Sequence, residues 1–420
     1  MHTVAVTALV NGRIIDGNGG SPVVDGAILI VDNHIEAVGA DVDIPPEAQV
    51  IDVAGASLLP GMMDLHVHLN GPYHALQKLR KSLLAGFTTI AHVAGTMPPA
   101  SSQCRQAIAD GWFPECARLI VGAVVDCTNG HVRGRVADGP WEVRKAVREM
   151  VKAKADFIKT AASGGFWAED EETWWLDYTQ EELDALVDEA HSVGRLVVVH
   201  CHTQPGLDMA IQAGCDQIHH GALIDEKALQ GILENELFFV PTLRVTSRQN
   251  MAIKYGADRP WETRKMGEAH YVHREGVRLA HQMGVKMGLG TDCPSTPPWD
   301  IWDSGFELQE FVGCGLSPLE AIGVATKGSA EAMQIDDKLG TLEAGKLADV
   351  VVVNGDPASD IQDVVNYDNV RYVFKEGRLA VSRDPHRPAT AHLETYPRDF
   401  TPIDERFTAD PDWEATAGLV

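Results

Sequence analysis

The hydrophobic pattern of this chain changes period twice. From Val4 to Val53, short apolar runs (Thr7 to Ile15, Ala27 to Val31, Ile35 to Val38) are separated by Gly, Asn and Asp, the punctuation of strands joined by turns. After Leu58, apolar runs alternate with segments of helical period, as in βα units that build a parallel sheet. Eight repeats can be counted, with strands near Leu58 to His68, Thr88 to Val93, Leu119 to Val125, Phe157 to Ala162, Leu196 to His202, Gln217 to His220, Leu237 to Pro241 and Val285 to Asp292. Helices are predicted between them, for example Trp141 to Lys154 and Gln180 to Val193. β character returns at Ala348 to Val353 and Val370 to Phe374, punctuated by Gly340, Gly345, Gly355 and Gly377. The pattern predicts an α/β protein: a (β/α)8 TIM barrel over 58–338, inserted into a small β-sandwich domain built from both chain ends, 1–57 and 339–381. The last stretch, 382–420, is rich in Pro, Asp, Glu and Thr without periodicity, and is expected to be a tail over the surface or a neighbouring subunit.

Composition narrows the class. At 420 residues, 45% of them hydrophobic, the chain can bury a barrel core and a second, smaller one. No run approaches the roughly 20 apolar residues that span a bilayer, and the seven cysteines lack C-x-x-C spacing, which suits reduced thiols. A cytoplasmic protein is expected. With 35 basic against 60 acidic side chains and a formal charge of −25, the surface repels phosphate backbones and anionic membranes. Neither nucleic acid nor membrane is an expected partner; a small-molecule substrate is.

The chemistry-bearing residues sit at the ends of the predicted strands. Met63-Asp64-Leu65-His66-Val67-His68 places two histidines at i and i+2, on one strand face, where both imidazoles can converge on an ion. An isolated H-x-H is as readily a pair of surface histidines, but Val199-His200-Cys201-His202 repeats it. Lys159, inside Phe157-Ile158-Lys159-Thr160-Ala161, is buried whichever way it points, which costs an ammonium group dearly without a partner. It is either half of a structural salt bridge or a neutral amine that has captured carbon dioxide as a carbamate, able to bridge two hard cations. Gln217-Ile218-His219-His220 adds another pair, of which alternation lets only one face the site, its neighbour packing or hydrogen-bonding outside. Gly290-Thr291-Asp292 ends the eighth strand with a carboxylate, an N-cap or a ligand. Five strand ends of one barrel thus carry potential ligands, where the active sites of such barrels lie. Imidazole, carboxylate and carbamate without a thiolate cluster favour zinc and permit Mn, Co, Ni or Fe.

Together with Gly86-Phe87-Thr88-Thr89, Pro241-Thr242-Leu243 and the segment Leu339 to Val350, these motifs resemble the amidohydrolase superfamily, in particular its prolidase-like, Xaa-dipeptidase-like branch. The resemblance spans nearly everything but the tail. It implies two divalent metal ions: His66 and His68 on the buried one, His200 and His220 on the second, Lys159 as carboxylated bridge, and Asp292 as ligand and proton shuttle. The chain departs from the family at His219, where Glu is frequent, and at Cys201, where a small residue such as Ala is.

A hydroxide bridging the metals is the expected nucleophile toward an amide-type carbonyl, with Asp292 taking its proton, His202 helping to hold the oxyanion, and His131 of the Asn129-Gly130-His131 loop a candidate substrate contact. Single-metal deaminases of the same fold generally lack a lysine like Lys159, and a non-catalytic scaffold would be missing ligands. Phe166, Trp167, Trp174 and Trp175 interleave with Glu169, Asp170, Glu171 and Glu172 after the fourth strand. They are either loop packing or the wall of a wide apolar pocket. Such a pocket suits an N-acyl amino acid, a dipeptide with a bulky residue, or an aryl amide, carbamate or urea; the resemblance to a branch rich in dipeptidases puts amide or peptide bonds first, with aryl-amide, carbamate, urea or lactone hydrolysis as the alternative. Arg133, Arg135 and Arg244 lie on strand-end loops where one of them can meet a substrate carboxylate. A homo-oligomer is expected by analogy.

Overall fold

The computed structural model describes residues 5–69, 72–94, 98–254, 260–293 and 300–387; from 388 onward the expected tail lies outside the described residues. Five strands open the chain: β1 (Val6–Ile14), β2 (Val23–Val31), β3 (His34–Gly39), β4 (Gln49–Asp52) and β5 (Ser57–Pro60). Barrel strands follow as β6 (Met62–His68), β7 (Phe87–Ala94), β8 (Arg118–Asp126), a two-residue β9 (Arg135–Val136), β10 (Phe157–Ala161), β11 (Leu196–Cys201), β12 (Gln217–His220) and β13 (Phe238–Val240). The chain returns to the first sheet through β14 (Val350–Val353), β15 (Val370–Lys375) and β16 (Arg378–Ser382).

Strands from both chain ends form one mixed sheet in the order β16-β15-β14-β5-β1-β2-β3, with β4 beside β1. Leu9, Ile28, Ile51 and Leu58 from the first part meet Val350, Val352, Tyr372 and Phe374 from the second in a single core. The sheet wraps far enough that Ile35 N donates to Lys346 O at 2.8 Å.

The second sheet runs β6-β7-β8-β10-β11-β12-β13, all parallel. Segment 285–293 closes it: Gly288 N donates to Phe239 O, while Leu65 N donates to Leu289 O and Asp292 N to His66 O. The expected eighth strand is therefore in place, reduced to isolated bridges because Gly288, Gly290 and the left-handed Asp292 (φ 57) interrupt a regular ladder. Helices cover the barrel with amphipathic faces. Pro140–Lys152 buries Val143, Ala146, Val147 and Met150 at helical spacing, and Gln180–Ser192 starts on a capping box between Thr179 and Glu182.

One boundary differs from the sequence reading. Leu58 to His68 is two strands rather than one: Ser57–Pro60 pairs with β14 and β1 in the mixed sheet, and only Met62–His68 enters the barrel. Both runs are buried on both faces, so hydrophobicity carries no break between them. The pivot is Gly61, where a Cβ would stand 2.1 Å from Thr88 Oγ1. The two sheets are also tied by Arg118 at the start of β8, which donates to Asp349 Oδ2 and Glu376 Oε1, each at 2.8 Å.

Candidate active site

At the carboxyl ends of the barrel strands the structure gathers His66 and His68 from β6, Lys159 from β10, His200 and His202 from β11 and its end, His220 from β12 and Asp292 from the closing segment, all on one cavity. Ligand atoms of His66, His68 and Asp292 lie within 4.8 Å of one another, with His68 Nε2 2.6 Å and His66 Nε2 3.5 Å from Asp292 Oδ1. The ring of His220 stands 4.7 Å from that of His66 and 4.5 Å from that of His200. His220 Nδ1 meets Thr242 Oγ1 at 2.8 Å, which leaves its Nε2 for the site.

Burial determines the charge states. It drives the pKa of His66, His200, His202 and His220 well below the ordinary histidine value, so the imidazoles are neutral, the form that binds a metal. It lowers Lys159 to about 7, against the opposing pull of Asp292, and the Nζ has no hydrogen-bond partner. The salt-bridge alternative for Lys159 thus has no partner atom in contact, and His202 Nδ1 is likewise without one. Unpartnered buried polar groups are rare and costly. A lysine amine, neutral imidazoles and a carboxylate converging in this way fit the donor set of a divalent metal centre.

Around these side chains lies a shell that the sequence reading missed. Asp64, fully buried, accepts from Thr291 Oγ1 at 2.6 Å, Ser304 Oγ at 2.8 Å and His66 N at 3.2 Å, stitching β6 to the closing segment. Its position two residues before His66, on the same strand face, is a signal that could have been read. His219, as alternation predicts, does not line the cavity; it hydrogen-bonds behind the site, its Nδ1 2.6 Å from His66 Nδ1 and its Nε2 3.0 Å from Gln217 Oε1, with its ring centroid 4.8 Å from that of His66.

His131 is not a solvated loop histidine. Its Nδ1 meets Glu171 Oε1 at 2.8 Å, its backbone N–H donates to Asp177 Oδ2 at 2.9 Å, and its ring stacks on His200 at 4.1 Å. The cavity above the histidines measures about 1410 Å³, larger than a small polar ring requires. Phe166 is packed against the His202 ring at 4.3 Å, but Trp174 and Trp167 are 61% and 38% exposed and line the cavity with Trp175 and Trp261. They form a wall rather than packing. Lys265 Nζ holds the loop by donating to Ala168 O at 2.8 Å, and Trp261 Nε1 by donating to Trp167 O at 3.2 Å; neither residue was singled out from sequence, because both come from a distant helix, Pro260–Met283. Of the three loop arginines only Arg133 lines this cavity. Arg135 is engaged by Glu142 and Glu149, and Arg244 is buried beside Cys293.

Comparison with known proteins agrees with this geometry. Residues 57–380 match the model of the amidohydrolase family. The ochratoxinase of Aspergillus niger is 28% identical over 427 aligned positions, covering 89% of this chain and 86% of its own. Among solved structures, a Xaa-Pro dipeptidase with methionine bound in its active site superposes with a TM-score of 0.82 at 29% identity, covering 89% of this chain and 99% of that one. Molinate hydrolase superposes with a TM-score of 0.78 at 26% identity, covering 95% of this chain and 100% of its own. The chain belongs to the amidohydrolase family and is a hydrolase acting on C–N bonds.

Proposed function

We propose that this chain hydrolyses the amide bond of a dipeptide or N-acyl amino acid carrying a bulky apolar group, using two divalent ions, zinc by preference. The observation that carries the reading is the buried, partnerless Lys159 amine between two histidine pairs and a carboxylate. His66, His68 and Asp292 would hold one ion, His200 and His220 the other, and Lys159, as its carbamate with carbon dioxide, would join them. When bound, such ions lower the pKa of water toward neutrality and draw charge from a carbonyl.

The remaining work falls to side chains. Asp292 receives the proton of the attacking water and returns it to the departing nitrogen, a transfer that requires it to face both. His202, neutral and with a free Nδ1, turns its ring toward the developing oxyanion, in a cavity where an N–H donor counts for more than in water. His131, braced by Glu171 and His200, presents a fixed edge to the substrate. The tryptophan wall receives the apolar group, and Arg133 its carboxylate. The substrates named for the A. niger ochratoxinase and the Xaa-Pro dipeptidase support this class.

A second reading, a carbamate or aryl-amide hydrolase, draws support from the molinate hydrolase likeness and from the exposed aromatic wall. A panel of dipeptides, N-acyl amino acids, anilides, carbamates, ureas and lactones, scored for released amine, acid or alcohol, decides between them. Turnover of carboxylate-free anilides or carbamates alone would replace the first reading by the second, and turnover of lactones alone would remove both.

Seven free cysteines support a reducing, cytoplasmic setting; the homo-oligomer rests on analogy with related enzymes alone, and sedimentation tests it. Among the described residues no helix is long and apolar enough to cross a membrane.

A further inference from the structure

His219 and Gln217 are fully buried inside the barrel and have no role in the chemistry above, yet they form a continuous hydrogen-bonded line to His66. Gln217 Nε2 donates to the main-chain carbonyl of Ala332 at 2.6 Å. Gln217 Oε1 lies 3.0 Å from His219 Nε2, and His219 Nδ1 lies 2.6 Å from His66 Nδ1. The direction of every proton on this line is fixed from one end. A carbonyl oxygen only accepts, so the amide nitrogen of Gln217 must face Ala332 and its oxygen must face His219. That oxygen accepts, so His219 carries its proton on Nε2 and offers a lone pair at Nδ1. His66 must then donate from Nδ1, which leaves its Nε2 as a bare lone pair 3.5 Å from Asp292 Oδ1. Two acceptors facing each other in a buried site repel unless a cation lies between them.

We infer that His219 is a positioning residue which, aligned by Gln217 and the Ala332 carbonyl, locks His66 in the tautomer whose Nε2 lone pair faces the metal centre. The groups that hydrogen-bond the far nitrogen of a ligating histidine ordinarily are carboxylates, carbonyls or water; here the partner is a neutral imidazole, so the ligand is oriented without a buried negative charge being added. The inference rests on the reading of His66 as a metal ligand, and the test separates the two.

The full chain, metal-free and labelled with ¹⁵N-histidine, is examined by long-range ¹H–¹⁵N correlation, with His66 assigned through a His66→Gln variant. Zinc affinity is measured by competition with a chromophoric chelator. In the wild-type chain His66 is expected to carry its proton on Nδ1. His219→Leu should release the tautomer to a mixture and weaken the tighter zinc site by about 10- to 100-fold, the usual effect of losing such a partner. His219→Asn, whose side-chain oxygen can accept in place of Nδ1, should recover most of that loss, and Gln217→Met should show a smaller loss than His219→Leu. A wild-type His66 protonated on Nε2, or zinc binding unchanged in a folded His219→Leu chain, would overturn the inference. Should His219→Leu fail to fold, the wild-type tautomer and the Gln217→Met affinity still decide it. A wild-type chain that takes up no zinc would sink the metal reading and leave the tautomer measurement standing.

Discussion

Asp292 Oδ1 stands 2.6 Å from His68 Nε2 and 3.5 Å from His66 Nε2, so one carboxylate of the closing segment faces both imidazoles of the first barrel strand. The same oxygen cannot serve as ligand and as base unless its charge is kept. Asp292→Asn preserves shape and removes that charge. Turnover should fall by roughly 10²- to 10⁴-fold, the range for loss of a positioned base, and bound metal measured by elemental analysis should fall with it. The thermal melt should stay close to wild type. Unchanged kcat in a folded variant would remove Asp292 from the proton path.

Carbamate formation joins the Lys159 nitrogen to the carbon of carbon dioxide and releases one amine proton, so it requires the neutral amine. With burial holding the Lys159 pKa near 7, recovery of metal-depleted protein by zinc should depend on added bicarbonate and quicken as pH rises through about 7. Lys159→Ala should lose metal and activity together and regain part of both with short carboxylates. Full metal content and rate in Lys159→Ala would refute the bridge.

Asp126 at the end of β8 is 1% exposed, and its Oδ2 has no hydrogen-bond partner. Burial, reinforced by the charge of Asp177, raises its pKa from 3.8 to about 8. The folded chain therefore keeps a proton that the unfolded chain loses above its own, lower pKa. The stabilisation is complete at low pH and is lost as pH climbs toward 8, at a slope of up to about 1.4 kcal/mol per pH unit. Asp126→Asn has no proton to lose and so lacks this pH dependence. The wild-type melting temperature, taken relative to Asp126→Asn, should fall steadily between pH 5 and pH 8; a constant difference would show that Asp126 is ionised in the folded chain.

Arg133 is the arginine of the three loop candidates that reaches the cavity. Arg133→Ala should raise KM for N-acyl amino acids bearing a free carboxylate by about 10-fold or more, the loss of one charge-assisted contact, while leaving kcat nearly unchanged. Amidated forms of the same substrates should be indifferent to the change. Equal losses on both would assign Arg133 a structural role.

The candidate ligands, which the structure brings onto one cavity, were legible in the sequence because they sit at strand ends, where an i, i+2 pair keeps its face whatever surrounds it. Lys159 was legible for a related reason, as an amine in a run buried on both sides. The rest depended on contacts that a pattern does not show. Alternation kept His219 off the cavity, but its bond to His66 Nδ1 joins residues 153 positions apart. Ser57–Pro60 was joined to the barrel because two buried strands meet at Gly61 without a polar break. His131 and the tryptophan wall depended on partners such as Glu171, Trp261 and Lys265, distant along the chain and brought near only by the fold.

The ion pair of Arg118 with Asp349 and Glu376 bears on how small this enzyme can be made. Asp349 belongs to the late part of the chain that rejoins the first sheet, while Arg118 is rooted in the barrel. Cutting away the returning strands would remove both counter-charges of Arg118 and uncover this face of the barrel to water, together with the buried apolar residues Val351, Val353, Val370 and Val373 of those strands, which pack in the same core as the barrel. The barrel and the sheet beside it share packed core, so a minimal barrel trimmed to its candidate ligand strands would have to replace both Arg118 and that apolar face to stand alone.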